Sequence, residues 1–239
     1  MKLLDLTLES AYANVALDEA LLESAEQSGS ADDVLRLWEP SSTAVVIGRS
    51  SIVAHEVQLD YCQQNKIPIV RRPSGGAAIV TGPGCLMYAV ILSITRWPEL
   101  TMLDAAHRMI LQRNAAALQS VGIGAYRHGT SDLVVGNRKI SGNSMRRKRD
   151  WVLYHGTFLY GLSAELIERC LRLAPRQPEY RRGRSHAEFV ANVSVGASDL
   201  KNALIATWKA DESLVTWPAE QTDRLLAERY LLDTWHFGR

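Results

Sequence analysis

The sequence predicts an α/β protein of the α+β type, with a mixed, largely antiparallel β-sheet flanked by helices in one domain. Three observations predict it. Strand-like and helix-like runs mix without the regular βαβ rhythm of a doubly wound parallel sheet. Gly136-Asn137 stands between two β-like runs, as a two-residue hairpin turn requires. Residues 86–94 form a long apolar run that suits a buried strand.

The elements follow in order. Asn14 is placed to cap a helix through about Gln27, with Val15, Leu17, Leu21 and Leu22 broadly periodic. Residues 34–38 and 43–48 read as strands around a Pro-Ser-Ser turn. A short helix is predicted over 56–65 and a strand over 67–70, with Gly82-Pro83-Gly84 as a tight turn before the long apolar strand. Thr101 with Asp104 reads as a capping box for a helix to about Ser120, stopped by Gly122.

Residues 131–135 and 138–141 flank the hairpin turn. Counting outward pairs Val135 with Arg138, Val134 with Lys139 and Asp132 with Ser141, so Asp132, Val134, Lys139 and Ser141 share a face. Asp132 is then the diagonal neighbour of Lys139. Another strand covers 151–160, and short helices near 164–172, 199–210 and 220–232 complete the chain. The basic stretch 174–187, with Arg176, Arg181, Arg182 and Arg184, reads as a mobile loop, and Trp235-His236-Phe237-Gly238 as a packed terminus.

Composition excludes several classes. Of 239 residues 46% are hydrophobic and 22% charged, and Lys+Arg 27 against Asp+Glu 26 leaves a net charge of +1, not the basic excess of a general nucleic-acid binder. Cys62, Cys85 and Cys170 form no CxxC pair, which argues against a disulfide framework or zinc site and fits a reducing compartment. No leader and no apolar span of about 18 residues is visible, so no membrane partner is expected and the cytoplasm is the expected location.

Two segments carry chemistry. Arg71-Arg72-Pro73-Ser74-Gly75-Gly76-Ala77 is a basic glycine loop between apolar runs; adjacent glycines reach φ > 0 and let backbone amides converge on an anion. Lys139-Ile140-Ser141-Gly142 puts a lysine on the hairpin. Together they suggest a site that brings a carboxylate and a phosphate together. The blander readings are a sharp turn for the loop, a solvated strand residue for Lys139, a solvated turn for Arg146-Arg147-Lys148-Arg149 in place of a phosphate clamp, and a hydrogen-bonded core residue for His155. No dinucleotide fingerprint, GxxxxGK or HExxH occurs, and Ser74 lacks the preceding glycine of a nucleophile elbow.

These pieces, in this order, resemble the lipoate–protein ligase branch of the biotin/lipoate ligase family over nearly the whole chain. Asn14-Val15-Ala16-Leu17-Asp18-Glu19 is similar to its first-helix motif, and Trp38 with Val45-Val46-Ile47-Gly48-Arg49 to its next landmark. Arg71-Arg72-Pro73-Ser74-Gly75-Gly76-Ala77-Ala78 resembles its Arg-Arg-x-Ser-Gly-Gly-Gly-Ala loop. Ser131-Asp132-Leu133 with Lys139-Ile140-Ser141-Gly142 resembles its Asn-Asp-Leu…Lys-Val-Ser-Gly segment, and His155-Gly156-Thr157-Phe158-Leu159 its His-Gly-Thr-Leu-Leu strand.

The resemblance implies a class II synthetase-like catalytic domain over 1–239, without a C-terminal accessory domain. It implies activation of lipoate or octanoate by ATP with Mg2+ to an acyl-adenylate, then transfer to a lysine of a lipoyl domain, of the 2-oxoacid dehydrogenase E2 or glycine cleavage H protein type. Lys139 is the implied catalytic residue. Trp38, Arg49, Arg72, Ser74, Gly75, Gly76, Ala77, Asp132, Ser141, Gly142, His155 and Thr157 are the implied substrate and adenylate contacts, with magnesium near Asp132. The chain departs from the pattern at Ala77, where the ligases have a third glycine. After it, Thr81-Gly82-Pro83-Gly84 looks like the octanoyltransferase branch with Thr81 in place of histidine. The competing readings are therefore an ATP-independent acyl transferase using Cys85 or Cys170 as its thiol, and a non-catalytic lipoyl-binding homologue. A separate accessory subunit is a further expectation.

Overall fold

The computed structural model describes residues 1–29 and 31–238. Strand β1 (Lys2–Asp5) leads into helix α1 (Ala11–Ser28), capped by Ser10, whose side chain accepts from the Ala13 amide. Asn14, the predicted cap, lies inside the first turn and is buried. Its amide nitrogen donates to the Leu8 and Ser10 carbonyls while its oxygen accepts from the Leu8 amide. Strands β2 (Val34–Trp38) and β3 (Ala44–Ile47) flank the predicted turn. The predicted helix over 56–65 divides into α2 (Val53–Glu56) and α3 (Leu59–Gln64), because Val57 extends to bridge Leu171.

Strands β4 (Ile69–Arg71) and β5 (Ile79–Thr81) bracket the glycine loop, and β6 (Cys85–Ser93) is the long apolar strand. Helix α4 (Leu103–Ser120) starts at Met102 without a side-chain cap. The predicted capping box does not form: the Thr101 hydroxyl donates to the Pro98 carbonyl, and Asp104 is taken by Arg108 and Arg127. Next come β7 (Tyr126–His128), β8 (Asp132–Val135), β9 (Arg138–Arg147) and β10 (Trp151–Leu159). Strand β9 runs past the predicted end at Ser141, so Arg146 and Arg147 belong to the strand and not to a turn. The remaining elements are α5 (Ala164–Cys170), α6 (His186–Phe189), α7 (Ala197–Trp208), β11 (Glu212–Ser213), α8 (Ala219–Leu225) with a π-helical turn at Leu226–Tyr230, and α9 (Asp233–Phe237).

Among the described residues eight strands form one sheet in the order β11-β1-β2-β6-β10-β9-β8-β7. Strand β1 is parallel to β2 and β11, and the other pairings are antiparallel. The sheet is thus mixed and largely antiparallel, but it is not alone. A second sheet, β4-β3-β5, pairs β3 parallel to β4 and antiparallel to β5. Alternation along the central strands explains the layers. Leu86, Tyr88, Val90 and Leu92 of β6, with Val152, Tyr154 and Phe158 of β10, pack on Ile110 and Leu118 of α4 and Leu200 and Leu204 of α7. On the other face, Ala89, Ile91 and Leu153 meet Leu17, Leu21 and Leu22 of α1. Beside them, Met87 and Leu159 pack on Val45, Ile47 and Val80 of the small sheet. Burial on both faces is why β6 reads as an unbroken apolar run.

The β8–β9 hairpin starts in the predicted register, Val135 with Arg138 and Val134 with Lys139. A bulge then pairs Leu133 with Ser141, and Asp132 faces Gly142 instead of Ser141. Ile140 is the extra residue; it is buried in the α4-side core. The basic stretch read as a mobile loop folds over this hairpin, with the Arg184 guanidinium donating to the Asn137 and Tyr180 carbonyls.

At the end of β3 the backbone nearly touches the glycine loop: a Cβ on Gly48 would stand 1.9 Å from the Gly76 carbonyl oxygen. Gly48→Ala is therefore expected to destabilise the protein by about 1–3 kcal/mol, the usual cost of overpacking. Denaturant unfolding measures this, and a variant as stable as the parent would contradict the close approach.

Candidate active site

A cavity of about 350 Å³ opens between the two sheets. Val15, Trp38, Val46, Ile79 and Met87 give it an apolar wall, and Asp18, Arg72, Asp132, Lys139, Asn143, Ser144 and His155 a polar one. A smaller cavity of about 110 Å³ shares Ala77, Ala78, Ile79, Lys139 and Gly142 with it, and continues along Val80, Leu159, Ile167, Leu171 and Phe189 with Thr157 and His186. Lys139 thus stands where the two spaces meet.

The hairpin bulge fixes that lysine. Its Nζ lies 2.7 Å from Asp132 Oδ1, with the two side chains 25% and 11% exposed. The Tyr180 hydroxyl donates to the other Asp132 oxygen at 2.7 Å. Gly142 is opposite Asp132, and a Cβ there would lie 2.8 Å from Lys139 Cε and Nζ. Glycine leaves the space that the lysine side chain crosses to reach its carboxylate. An ammonium carries three donors, so one ion pair leaves others for a substrate oxygen.

Both arginines of the glycine loop turn inward. Arg71 donates to the carbonyls of Gly48, Ser51, Trp235 and His236 at 2.9, 2.8, 2.9 and 2.6 Å. Arg72 donates to the carbonyls of Gly75, Ala77 and Val46 at 2.5, 3.0 and 3.2 Å. Burial pulls Arg72 down to about 10 against the opposing charge of Glu56, which leaves it cationic at neutral pH. Its positive field reaches the cavity while its N–H groups shape the loop. Gly75, Gly76 and Ala77 stay exposed at the rim, with Gly76 at φ 90°. The Ser144 hydroxyl holds the Gly75 carbonyl at 2.7 Å.

Behind the loop runs a buried series of polar contacts. Arg36 Nη1 donates to Asp18 Oδ1 at 2.5 Å, Asp18 Oδ2 lies 3.0 Å from His155 Nδ1, and His155 Nε2 lies 2.6 Å from Ser74 Oγ. Arg72 Nε donates to Ser74 Oγ at 3.2 Å. Burial pushes the Asp18 carboxyl up, but the Arg36 charge and the His155 contact outweigh it and hold the group below the usual carboxylate range.

Of the residues singled out in the sequence, Trp38, Arg72, Gly76, Ala77, Asp132, Lys139, Gly142 and His155 line the larger cavity, and Thr157 lines the smaller one. Ser74 is buried behind the wall, and Gly75 is held at the rim. Ser141 is buried and donates to Asn143 Oδ1 at 3.3 Å. Arg49 lies apart from both cavities, its guanidinium 5.8 Å from the centre of the Trp235 ring. Cys85 and Cys170 are fully buried and line neither space. Burial pushes both thiols up to about 12, with Glu39 adding to the shift at Cys85 and Cys62 at Cys170. Sequence reasoning misses Arg36, Asn143, Ser144 and Tyr180. One of them leaves a signal: Arg36 is a lone charge inside Val34-Leu35-Arg36-Leu37-Trp38, and such a strand residue demands a buried partner.

Asp132 is also the expected neighbour of magnesium. Its oxygens are engaged by Lys139 and Tyr180, and among the described residues no group of three His, Cys, Asp or Glu side chains could hold a metal ion. The described side chains thus form no preassembled three-ligand metal site. Also among the described residues, no helix is long and apolar enough to cross a membrane.

The Lipoyl protein ligase A/B catalytic domain model matches residues 10–208, and the chain belongs to that family. Lipoate–protein ligase 1 of Staphylococcus aureus is 25% identical over 242 residues, covering 95% of this chain and 70% of that protein. Lipoate-protein ligase A subunit 1 of Thermoplasma acidophilum is 25% identical over 244 residues, covering 94% and 91%. A solved lipoate-protein ligase A bound with ATP superposes with a TM-score of 0.82 at 23% identity over 99% of this chain and 98% of its own. The bi-partite archaeal lipoate protein ligase from Thermoplasma acidophilum superposes with a TM-score of 0.80 at 22% identity over 99% and 96%. The fold is therefore that of the lipoate ligases.

The Asp18 site sets a pH dependence. A carboxyl held below its unfolded value of about 3.9 stabilises the fold above that value. The contribution is lost as pH falls through the folded pKa, where both states carry the proton. Stability is thus expected to decline on acidification below about pH 4. Asp18→Asn is expected to be less stable by about 3–5 kcal/mol at pH 7, because Arg36 loses its buried partner, and to show a shallower acid slope. Urea unfolding at stepped pH measures both; an unchanged acid slope in the variant would rule out Asp18 as the titrating group.

Proposed function

We propose that this protein is a lipoate–protein ligase: it joins lipoate or octanoate to AMP and passes the acyl group to a lysine of a lipoyl domain. The single observation that carries the reading is the position of Lys139, between the two cavities and opposite the glycine-loop rim. On this reading the acyl tail occupies the larger cavity, lined by Val15, Trp38, Val46 and Met87, and the nucleoside the smaller one, lined by Val80, Leu171 and Phe189. The carboxylate and the α-phosphate then meet at Lys139.

In the first step a carboxylate oxygen bonds to the α-phosphorus, the bond to the bridging oxygen breaks, and pyrophosphate leaves with the electron pair. Two anions must approach, and the ammonium offsets their repulsion while donating to the oxygens in transit. The amides of Gly76 and Ala77 add donors at the rim, and Arg72 adds a fixed positive field. In the second step the acceptor amine attacks the acyl carbon, AMP leaves and the amine loses a proton. The same contacts stabilise the departing phosphate. ATP and magnesium arrive together as substrate, and the protein's own share in both steps is carried by Lys139, Arg72 and the rim amides.

The relatives support the choice of acceptor. The Thermoplasma acidophilum protein is described as subunit 1, and the solved archaeal ligase as bi-partite with its E2 lipoyl domain. We infer the same arrangement for this protein: residues 1–239 act as the catalytic unit in the cytoplasm, a second subunit assists, and the acceptor is a lipoyl domain of the E2 or H protein type. Buried Cys85 and Cys170, far from thiolate character, weigh against a thiol-borne transferase, since the thiolate is the nucleophile.

Lys139→Ala is expected to leave a folded protein and to lower lipoate-dependent exchange of pyrophosphate into ATP by at least about 10²-fold, the scale for loss of one oriented donor. Exchange near the parent rate would refute its role. Cys85→Ser and Cys170→Ser are expected to keep adenylation and transfer within about twofold of the parent, and mass spectrometry is expected to find no acyl-cysteine. Loss of transfer in either, with adenylation intact, would favour the thiol route.

A further inference from the structure

The contacts running from Arg36 to Ser74 have the order of a hydrolase triad, with serine, imidazole and carboxylate in sequence. They cannot work as one. Ser74 is 1% exposed and does not line the cavity. Its Oγ is already engaged by Arg72 Nε at 3.2 Å and His155 Nε2 at 2.6 Å. The series ends on the backbone that turns into Gly75 and Gly76, so its output is the position of the loop.

The proton pattern follows from the partners. Asp18 Oδ2 faces His155 Nδ1, and an ionised carboxylate only accepts, so Nδ1 carries a proton. Ser74 Oγ accepts from Arg72 Nε, which leaves the serine hydrogen free to point at Nε2. Asp18 is itself immobilised. Arg36 grips its Oδ1 and also donates to the Asn14 carbonyl and Asn14 Oδ1 at 2.7 Å each. Both Asp18 and Arg36 are almost completely buried. Of the four residues from Arg36 to Ser74 in this series, His155 and one edge of Asp18 meet the cavity.

We propose that Asp18, anchored by Arg36, is a positioning residue for the adenylating loop: it holds His155 with the proton on Nδ1, so that Nε2 accepts the Ser74 hydroxyl and fixes the turn that presents Gly75, Gly76 and Ala77. The proposal rests on the ligase reading for its kinetic part and on geometry alone for its proton pattern. It assigns a role to two residues, Asp18 and Arg36, on α1 and β2, outside the glycine loop and the lysine hairpin. It also explains why a buried serine precedes the glycines: an alkyl side chain there would leave His155 Nε2 without its partner, while Arg72 Nε would keep only the Gly75 carbonyl at 3.1 Å.

Two measurements test it. Long-range nitrogen–proton NMR on histidine-labelled protein reads the His155 ring directly, assigned by comparison with His155→Gln. A proton on Nδ1 and none on Nε2 is expected; a proton on Nε2, in a neutral or a charged ring, overturns the proposal. Asp18→Asn would strand Arg36 and weaken the fold, so the kinetic arm uses Ser74→Ala, which leaves the Arg36–Asp18–His155 contacts in place. That variant is expected to melt within a few degrees of the parent and to keep the Nδ1 proton. Its kcat for pyrophosphate exchange is expected to fall at least about tenfold, while its KM for the acyl acid changes less than about threefold. A parental kcat overturns the positioning role, and so does a loss confined to KM. Absence of exchange in the unaltered protein would instead sink the ligase reading, and the ring proton would still decide the geometry.

Discussion

One buried charge constrains much of this molecule. Arg36 sits in the middle of a strand whose five residues are all buried, and its side chain has no exposure at all. A guanidinium in that position must be matched, because an unpaired buried charge costs several kcal/mol. Asp18 supplies the match from α1, and Asn14 supplies two more acceptors from the same helix. The requirement for compensation thus fixes how α1 crosses the sheet. The helix in turn aligns Asp18 with His155 on β10, and through it with Ser74. A packing demand in the core becomes a geometric constraint at the site.

The same economy of charge appears in the loop. Two adjacent arginines suggest a pair of anion clamps, yet both guanidinium groups face backbone carbonyls. They act as struts and as fixed positive charge. In the proposed reaction, direct donors for a substrate oxygen come instead from Lys139 and from the exposed amides at the rim. Donors already aimed need no reorganisation when charge shifts between carboxylate and phosphate. Mobile arginine side chains at the rim would have to be ordered in each turnover, at an entropic cost.

Much of this is legible in the sequence, and the losses have particular causes. The hairpin, the glycine loop and the Lys139–Asp132 neighbourhood follow from turn chemistry and alternation. The register does not, because the Ile140 bulge is decided by a buried side chain in the core, not by the turn. Asn14 and Thr101 look like caps because their side chains suit caps; each finds a closer backbone carbonyl instead. The small sheet is hidden because its strands are short and the 78–80 run reads like loop flank. Tyr180 is invisible because its contact with Asp132 joins residues far apart in sequence. Arg36 is open to detection, since a solitary cation among Val34, Leu35, Leu37 and Trp38 has no solvent to escape to.

Arg71 carries a different implication. One guanidinium gathers the end of β3, the Ser51 carbonyl and the carbonyls of Trp235 and His236, while its backbone carbonyl accepts from the Trp235 indole and its amide donates to His236 Nδ1. Helix α9 is therefore welded to the root of the glycine loop. Trimming or unwinding that short helix would slacken the glycine loop from beneath, so the candidate site is vulnerable to damage at Trp235 and His236, which line neither cavity.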